Sequence, residues 1–432
     1  MKVGVVGLGY VGIPVASSFA HAGHAVVGVD IDGERIETLR RGENPLATSE
    51  VELDRLINQT VSEGSLSPTS DYDVLVDANT ILICVDTPLD NASRKPLEEP
   101  LRSATEGIST RLRKGALVSV ESTIAPGTME GLVAPTLEGG SGLRVHEDFA
   151  LVHCPERVTP GRLLPNLVHL DRVVGGEDPP SRQRAIEFYA SVCQGEFHET
   201  SWINAELSKT TENAYRDVQL AFANEVARIS RAVGGDVYEV RDLVNTCPGR
   251  EMLLPGPGVG GHCIPKDPWL LVSPVDDATL IPAAREVNDA MPESAVELVT
   301  EGLAFGGQSV RGATVVLLGA AYRENVAETV NSPSLRIYGL LDELGADLRV
   351  HDPFVPNLEG IRLWRDLDEA SEGAHCLVFV TPHDVYSDVD WKALGSRMQR
   401  RLLVDCRGAF SPGACQSWGF QYRGLGRGSA AS

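Results

Sequence analysis

Residues 2–12 read KVGVVGLGYVG, a β-branched strand that runs into the pattern G-x-G-x-x-G at Gly7, Gly9 and Gly12. Between a strand and a helix, the first glycine allows a tight turn, the second lets a pyrophosphate approach the backbone, and the third lets the helix pack on the strand. A second predicted strand ends in Asp30. A carboxylate there accepts hydrogen bonds from a ribose diol and repels a 2′-phosphate. The stretch therefore predicts a Rossmann domain that binds NAD in preference to NADP.

Strands and polar loops alternate through the rest of the N-terminal segment. Strands are predicted over 80–85, 117–121 and 151–153, and each runs into a loop with proline or hydroxyl side chains. Alternating strands and helices are typical of a parallel sheet, whose strands present their carboxyl ends at one edge. We therefore expect the loops after these strands to line one cleft.

The C-terminal third repeats this order. Three predicted strands run into Gly319, Asp352 and Thr381, as the first strands run into a glycine, an aspartate and a threonine. The full glycine pattern is absent from this copy, so a second domain of this kind should hold a different ligand. Chance similarity between two α/β segments is the alternative. We predict an α/β protein with two Rossmann-like, doubly wound domains joined by a long central helix.

The central helix is predicted over Trp202–Val233. Its apolar residues recur at near-helical spacing and form one stripe. The stripe comprises Ile203, Leu207, Ala214, Val218, Ala221, Ile229 and Val233. Lys209 and Asn213, four residues apart, share the opposite face with Glu206. Spacing alone favours solvent exposure of that face.

The composition excludes several classes of protein. The 432 residues include 60 acidic residues and 38 lysines or arginines, which gives a formal net charge of −22. Such a surface repels nucleic acid and anionic membranes, and no apolar stretch approaches the ~20 residues that span a bilayer. We expect a soluble, cytoplasmic protein without a signal peptide. Abundant acid with six lysines suggests a salt-loving source; a GC-rich genome would explain Arg over Lys, but not the acidity.

One of the eight cysteines has unusual surroundings. The cysteines form no CxxC pair and no zinc-like spacing, which argues against a metal site and a disulfide scaffold. Cys263 lies in LPGPGVGGHCIPKDPWL, residues 254–270, where glycines and prolines exclude a helix or strand. Lys266 follows three residues later, and a nearby cation favours the nucleophilic thiolate. We predict that Cys263 is a nucleophile.

Taken together, these motifs resemble the UDP-glucose/GDP-mannose dehydrogenase family. The resemblance covers nearly the whole chain. It rests on the glycine pattern, the helix with Lys209 and Asn213, the loop GGHCIPKDP, and the later GAAYR and SPS motifs at 319–323 and 332–334. It implies three domains: an NAD-binding domain, a central helical dimerisation domain with the cysteine, and a nucleotide-sugar-binding domain. Their implied bounds are 1–195, 196–295 and 296–432.

The family's reaction is the oxidation of the C6 hydroxyl of a nucleotide sugar to a carboxylate, with two NAD and one water. By resemblance, Cys263 attacks an aldehyde intermediate to give a thiohemiacetal and then a thioester, which water hydrolyses. Lys209 and Asn213 stabilise the oxyanions. Protons are moved, or water is positioned, by a third group of residues. That group comprises Asp267, Glu156 and Thr123.

The same resemblance assigns further residues to ligands, and it assigns none to a metal. The cofactor candidates are Gly7, Gly9, Tyr10, Val11, Gly12, Asp30, Thr87, Thr123 and Lys266. The substrate candidates are Glu156, Arg157, Lys209, Asn213, Gly260, His262, Arg285, Tyr322, Arg323 and Arg407. Two positions depart from the family pattern. Arg323 stands where Lys is more usual, and the stretch before Ser332 lacks an Arg that often binds phosphate or a domain interface there.

Two features resemble the branch that acts on UDP-N-acetylhexosamines. His262 directly precedes the cysteine, where it could also serve only to pack the loop. The segment 154–158 reads CPERV and is followed by Pro160, where UDP-glucose enzymes tend to have Glu. We expect UDP-N-acetylmannosamine as substrate, then UDP-N-acetylglucosamine, then UDP-glucose.

Two other functions remain as alternatives. A two-electron NAD-dependent sugar or hydroxyacid dehydrogenase would need no nucleophilic cysteine, so the Cys263 segment argues against it. A nucleotide-sugar-binding regulator without catalysis would have no need to keep Cys263, Lys209, Asn213 and Asp267 together.

Overall fold

The computed structural model describes residues 1–46, 50–158 and 161–428. The chain divides into two compact units, each made of two segments. They comprise Met1–Glu212 with Trp269–Asp277, and Asn213–Pro268 with Ala278–Ser432. The three-domain division at residues 195 and 295 stays a prediction.

The first unit is built on an eight-stranded sheet. Its strands are β1 (Lys2–Val6), β2 (Ala25–Val29), β3 (Leu66–Thr69), β4 (Thr80–Ile83), β5 (Leu117–Val120), β6 (Ala150–His153), β7 (Arg172–Gly175) and β8 (Phe197–Thr200). They lie in the order β3-β2-β1-β4-β5-β6-β7-β8. All neighbours are parallel except β6 and β7. The carboxyl ends of β1, β4, β5 and β6 therefore point to one edge, as predicted.

Helices connect these strands and cover both faces of the sheet. They are α1 (Gly12–His21), α2 (Gly33–Arg40), α3 (Val51–Ser62), α4 (Glu99–Ser109), α5 (Ala134–Ser141), α6 (Leu163–His169) and α7 (Pro179–Tyr189). The β1 side chains show why the sheet is covered twice. Val3 and Val5 belong to one buried cluster, while Val6 belongs to another. Because successive side chains of a strand point to opposite faces, both faces of β1 are apolar and buried.

Four helices follow in chain order. They are α8 (Trp202–Val233), α9 (Val237–Asn245), α10 (Asp267–Val272) and α11 (Leu280–Asp289), and the helix α12 (Met291–Phe305) leads into the last domain. The predicted long central helix is confirmed with both of its ends. Among the described residues, no helix is long and apolar enough to cross a membrane.

The second unit contains a six-stranded parallel sheet. Its strands are β9 (Thr314–Leu318), β10 (Asp347–His351), β11 (Leu363–Trp364), β12 (Cys376–Phe379), β13 (Leu402–Asp405) and β14 (Gln421–Gly424). They lie in the order β11-β10-β9-β12-β13-β14, the same winding as in the first six strands of the other sheet. Its later helices are α13 (Pro333–Glu343), α14 (Leu367–Ser371), α15 (Trp391–Arg397) and α16 (Pro412–Ser417). The prediction of two Rossmann-like domains is confirmed.

The repeated order also has the same hydrogen bond. Gly7 N–H donates to Val29 O, and Gly319 N–H donates to His351 O, both at 2.8 Å. In the second unit, the Asp352 carboxylate accepts bonds from the N–H groups that follow Gly319. In the first unit, the Asp30 carboxylate accepts the corresponding bond from Leu8 N, so this contact is repeated as well.

The prediction that the polar face of α8 is exposed was wrong. Lys209 is 6% exposed and Glu206 is 1% exposed, while Ile203, Ile229 and Val233 of the apolar stripe are 43%, 56% and 77% exposed. Short alanines and hydrogen-bonded polar groups line the buried side, so hydrophobicity did not mark it. The larger apolar residues Ile203, Leu207, Ile229 and Val233 of the stripe are instead left at the surface of the single chain, while its Ala214 and Ala221 are buried.

Candidate active site

The glycine turn after β1 has the shape that a dinucleotide requires. Gly7 adopts φ +91°, and a Cβ there would lie 2.6 Å from Cys84 O. A Cβ on Gly12 would lie 1.8 Å from Gly7 O. Beside Gly9, by contrast, a Cβ would meet no atom within 4 Å. Two glycines are thus fixed by packing, and the middle one leaves open space through which a pyrophosphate can reach the backbone.

Asp30 lies at the end of β2, where the sequence places the ribose contact. Its carboxylate accepts hydrogen bonds from Leu8 N at 2.6 Å and Asp32 N at 2.9 Å. The guanidinium of Arg35 lies 3.2 Å from the same carboxylate. Sequence reasoning missed Arg35, although a basic residue in the helix that follows the aspartate was the available signal. Since an arginine near this aspartate can favour a 2′-phosphate, its pairing with Asp30 bears directly on cofactor choice.

The loops after β4 and β5 are joined at two of the predicted residues. Thr87 Oγ1 donates to Thr123 O at 2.7 Å. The neighbouring Ser122 Oγ donates to Val85 O, also at 2.7 Å. The carboxyl-end edge of the sheet therefore brings the cofactor candidates Thr87 and Thr123 together.

The loop after β6 carries the two charged candidates Glu156 and Arg157. Glu156 is 6% exposed, and its carboxylate accepts a hydrogen bond from Val158 N. Arg157 pairs with Glu212 of α8 and donates to Asp171 O at 3.1 Å. Glu156 is thus held by its own loop, and Arg157 connects that loop to the central helix.

Lys209 is held in place through the turn of α8 that precedes it. The Glu206 carboxylate accepts hydrogen bonds from Gly127 N and Met129 N, both at 2.7 Å. These N–H groups belong to the loop after β5, the loop that also carries Thr123. A buried carboxylate on backbone N–H groups fixes the rotation of α8, and therefore the direction of Lys209, one turn away.

A buried histidine beside Lys209 was missed by sequence reasoning, because His153 ends an apolar strand. Its Nδ1 hydrogen-bonds Val120 O at 2.9 Å. Burial lowers the pKa of His153 to about 4, and the charge of Lys209 acts in the same direction. The imidazole is therefore neutral at pH 7, so it adds no positive charge to that of Lys209.

In the second unit, the cysteine loop (residues 254–266) presents Cys263 to solvent. Cys263 O accepts hydrogen bonds from Lys266 N at 3.0 Å and Asp267 N at 2.8 Å, where α10 begins. Lys266 Nζ lies 3.8 Å from Asp267 Oδ1. Asn213 Nδ2 donates to Asp267 Oδ2 at 2.5 Å. The structure thus brings together four residues that the sequence analysis predicted for the site, namely Cys263, Asn213, Asp267 and Lys266.

The start of the cysteine loop is held by a buried polar network. Gly256 N donates to Asn224 Oδ1 at 2.9 Å, and Asn224 Nδ2 donates to Asn288 Oδ1 at 2.8 Å. Asn288 and Arg285 both donate to Asp217 Oδ1, at 2.7 and 2.6 Å. Arg285 is 1% exposed, so this geometry supports a structural role better than the predicted substrate contact.

Tyr322 and Arg323 begin the tyrosine loop (residues 322–331), which follows β9. A Cβ on Gly260 would lie 2.5 Å from Tyr322 Cβ, so the backbone of Gly260 packs directly against the Tyr322 side chain. Burial, together with the charges of Glu328 and Cys263, raises the pKa of Tyr322 to about 12. The phenol is therefore a neutral donor at pH 7. Arg323 lies 3.9 Å from Glu324 and is half-exposed.

The remaining candidates flank the cysteine loop in the same unit. Arg407 Nε donates to Val380 O at 2.8 Å, and a Cβ on Gly256 would lie 2.8 Å from Arg407 Nη1. Burial raises the pKa of Glu328, while the charge of His262 opposes the shift. Sequence reasoning did not identify Glu328, since nothing in its local sequence marks this glutamate as buried.

The remaining cysteines and one cluster of acidic and histidine side chains lie outside the candidate site. Cys247 is the second exposed cysteine, and the other six are buried. Within the described ranges, one group of metal-ligand type side chains lies close together, namely Asp171, Glu196 and His198, all exposed. The absence of a metal from the reaction stays a prediction.

Family comparisons agree with this geometry along the chain. Residues 1–193 match the NAD binding domain of the UDP-glucose/GDP-mannose dehydrogenase family, 203–290 its central domain, and 316–412 its UDP binding domain. The chain belongs to this family. It is an NAD-dependent oxidoreductase that acts on a nucleotide sugar.

Individual relatives extend over the full length of this dehydrogenase. It is 37% identical to UDP-N-acetyl-D-mannosamine dehydrogenase of Pyrococcus horikoshii, with 99% of this chain and 100% of the other covered, and that enzyme's solved structure matches with a TM-score of 0.92. The NDP-N-acetyl-D-galactosaminuronic acid dehydrogenase of Methanosarcina mazei Go1 is 36% identical, with a TM-score of 0.86 over 99% and 95% of the chains. A UDP-glucose dehydrogenase of Pyrobaculum islandicum is 26% identical, with a TM-score of 0.86 over 99% and 98%.

We predict that this dehydrogenase prefers NAD to NADP by at least about tenfold in kcat/KM, or about 1.4 kcal/mol, because the Asp30 carboxylate would repel a 2′-phosphate bound at the end of β2. Asp30→Asn should narrow the preference. Arg35→Ala should widen it, because the variant removes the cation that pairs with Asp30 and could attract a 2′-phosphate. Initial rates with both cofactors test this, and comparable kcat/KM values in the wild type would contradict it.

Proposed function

We propose that this dehydrogenase oxidises C6 of a UDP-N-acetylhexosamine to the uronate in two successive steps. The observation that carries the proposal is the grouping of Cys263, Asp267 and Asn213 in the second unit. A two-electron dehydrogenase needs an acid or a base, but it has no use for an exposed cysteine next to an aspartate and an asparagine.

The cofactor would lie on the glycine turn and against Asp30. The open space beside Gly9 fits its pyrophosphate, and the Asp30 carboxylate fits its ribose. When bound there, NAD accepts a hydride from the sugar in each of the two oxidations. The chain's own task in the first oxidation is to hold the alcohol and to take up its proton. Lys209 is buried on α8, close to the loops after β5 and β6, and an ammonium there stabilises a developing alkoxide.

The thiol acts on the product of the first oxidation. Cys263 Sγ adds to the aldehyde carbon, the carbonyl oxygen takes a proton, and the thiohemiacetal keeps the intermediate bound. Its oxidation gives a thioester. Water then attacks the acyl carbon, the C–S bond breaks, and the thiolate leaves with the carboxylate as product. Asn213 and Lys209 are the donors we assign to the oxyanions of these steps.

Two carboxylates are available for the attacking water. Asp267 is 1% exposed and is oriented by the amide of Asn213, and Glu156 is 6% exposed and oriented by Val158 N. We assign the base to Asp267, which begins its helix four residues after the nucleophile. We assign the positioning of sugar or water to Glu156 and Thr123.

The choice of sugar rests on the relatives and on His262. The relatives with the higher identities are named for N-acetylated mannosamine or galactosaminuronic acid substrates, and the UDP-glucose enzyme is less similar. His262 lies within electrostatic range of Glu328, a buried carboxyl of the tyrosine loop. The other sequence signal, Pro160, lies outside the described residues.

We further propose that α8 pairs with a second copy of the chain. Its exposed side chains include Tyr215, Phe222 and Ile229, each seven residues from the next, at 63%, 58% and 56% exposure. Apolar residues at a seven-residue repeat are typical of helices that pack along one another. We therefore propose a second copy of this chain as the partner, in a homodimer. The net charge of −22 argues against nucleic acid or an anionic membrane as a partner.

We predict that UDP-N-acetylmannosamine gives the highest kcat/KM, followed by UDP-N-acetylglucosamine and then UDP-glucose. The measurement is NADH formation with all three sugars under identical salt, with GDP-mannose as a control for the base. A clear preference for UDP-glucose would refute the sugar assignment and leave the reaction type intact.

We predict that Cys263→Ser lowers uronate formation by at least about 100-fold and leaves NAD binding unchanged, because an alkoxide is a poor leaving group from the ester. Cys247→Ser is the matched control, since Cys247 is also exposed, and it should retain activity. The wild type should form two NADH per uronate. One NADH per product, or a fully active Cys263→Ser variant, would favour the two-electron dehydrogenase.

We predict that Phe222→Glu separates the dimer, because it buries a charge in the apolar contact between the two helices. Phe305→Glu is the control, since Phe305 is 71% exposed and does not lie on α8. Light scattering should give one chain mass for Phe222→Glu and two for the wild type and the control. A wild-type mass of one chain, or a dimeric Phe222→Glu variant, sinks this proposal.

A further inference from the structure

The tyrosine loop makes two hydrogen bonds to the residue that lies two positions before the nucleophile. Gly261 N donates to Val330 O at 2.8 Å. The side-chain amide of Asn331 donates to Gly261 O at 3.0 Å. Both backbone polar groups of Gly261 are therefore satisfied by two adjacent residues of another loop, so the position of Gly261 follows that of residues 330 and 331.

Close packing strengthens this contact. A Cβ on Gly260 would lie 2.8 Å from Asn331 O, as well as 2.5 Å from Tyr322 Cβ. Gly261 adopts φ +91° and packs against the Tyr322 ring. A Cβ on Gly261 would lie 3.0 Å from the nearest ring carbons of Tyr322. Neither glycine can gain a side chain without moving the loop, so the segment before Cys263 has little freedom.

Asn331 has an uncommon backbone conformation that brings its amide to Gly261. Its φ is +51°, a left-handed value that asparagine adopts more readily than most residues. Asn325, in the same loop, has φ +59°, but its side chain accepts a bond from Asp384 N instead. The two asparagines share a backbone conformation. Of the two, Asn331 alone makes a side-chain hydrogen bond to the cysteine loop within the part of the chain that the structure describes.

The same loop carries the predicted nucleotide contacts. Tyr322 N donates to Glu328 O at 3.0 Å, which closes the loop on itself and brings residues 322 and 328 side by side. Tyr322 packs on Gly260 and Gly261, and the half-exposed Arg323 follows it in sequence. A ligand held by Tyr322 and Arg323 would thus act on the segment that leads to Cys263.

We propose that Asn331 is a positioning residue that couples the nucleotide-contacting tyrosine loop to Cys263 through Gly261. The proposal rests on the proposed function for the role of Cys263. It adds that the thiol is placed for attack on the aldehyde by the hydrogen bond from Asn331, and that this place is kept while nucleotide is bound.

The consequence concerns the intermediate. If Gly261 is released, Cys263 adds to the aldehyde less often, and the aldehyde leaves the site after one oxidation. NADH then forms without the matching amount of uronate. A variant that is merely less folded loses both products in proportion, so the ratio of NADH to uronate separates positioning from stability.

The test uses the full-length protein and the variant Asn331→Asp, which keeps size and backbone preference but replaces the donor by an acceptor that repels Gly261 O. The NADH-to-uronate ratio should rise above two, and hydroxylamine should trap free aldehyde. Asn325→Asp is the matched control, because it keeps the acceptor that Asp384 N needs, and its ratio should remain two. Asn331→Gly, which also tolerates positive φ, provides a second variant if the first folds poorly.

A second readout does not depend on the sugar reaction. Alkylation of Cys263 by iodoacetamide, measured on its peptide, should be faster by at least about threefold in both Asn331 variants, because the released segment exposes the thiol more fully. Cys247 alkylation in the same molecules should not change. If the ratio stays at two and Cys263 alkylation matches the control, Asn331 has no positioning role. If the wild type forms NADH but no uronate, the proposed function fails, and the alkylation rates alone decide the coupling.

Discussion

The nucleophile lies in a segment that forms neither helix nor strand, so its backbone must be satisfied by other parts of the second unit. Residues 251–266 have no regular structure, and buried N–H and C=O groups without partners are costly. Gly256 is bonded to Asn224, Gly261 to Val330 and Asn331, and Cys263 O to the first N–H groups of α10. The thiol's position therefore depends in part on residues that are distant in sequence and are assigned no step of the reaction, namely Asn224, Val330 and Asn331.

The same principle operates in the first unit with different groups. Carboxylates bond backbone N–H groups at two points: Asp30 holds the glycine turn at Leu8, and Glu206 holds the loop after β5 at Gly127 and Met129. Charge-assisted bonds of this kind are strong and directional. One fixes the cofactor turn, and the other fixes the helix that carries Lys209. Buried acids thus organise both halves of the chemistry, although the sequence shows them only as part of a large negative charge.

The sequence was sufficient for the fold because the relevant signals are local. The glycine turn, Asp30 and the repeated order ending in Gly319, Asp352 and Thr381 each follow from a short stretch read with strand periodicity. The exposure of α8 could not be obtained in this way. Hydrophobic periodicity identifies an apolar face but not which surface covers it, and the buried side of α8 uses alanines with Glu206 and Lys209. Arg35, His153, Glu328 and Asn331 were missed for a related reason, since each acts through a partner that the local pattern does not reveal.

The central claim, that Cys263 carries the substrate covalently, is tested most directly by an acid-quenched single turnover of the wild type with its UDP-sugar and excess NAD, followed by mass analysis of the proteolysed protein. The peptide that contains Cys263 should carry the mass of the nucleotide-sugar acyl group at times before uronate reaches its final level, and the adduct should decay as uronate appears. If uronate forms at full yield while that peptide stays unmodified at every time point, the covalent account is wrong.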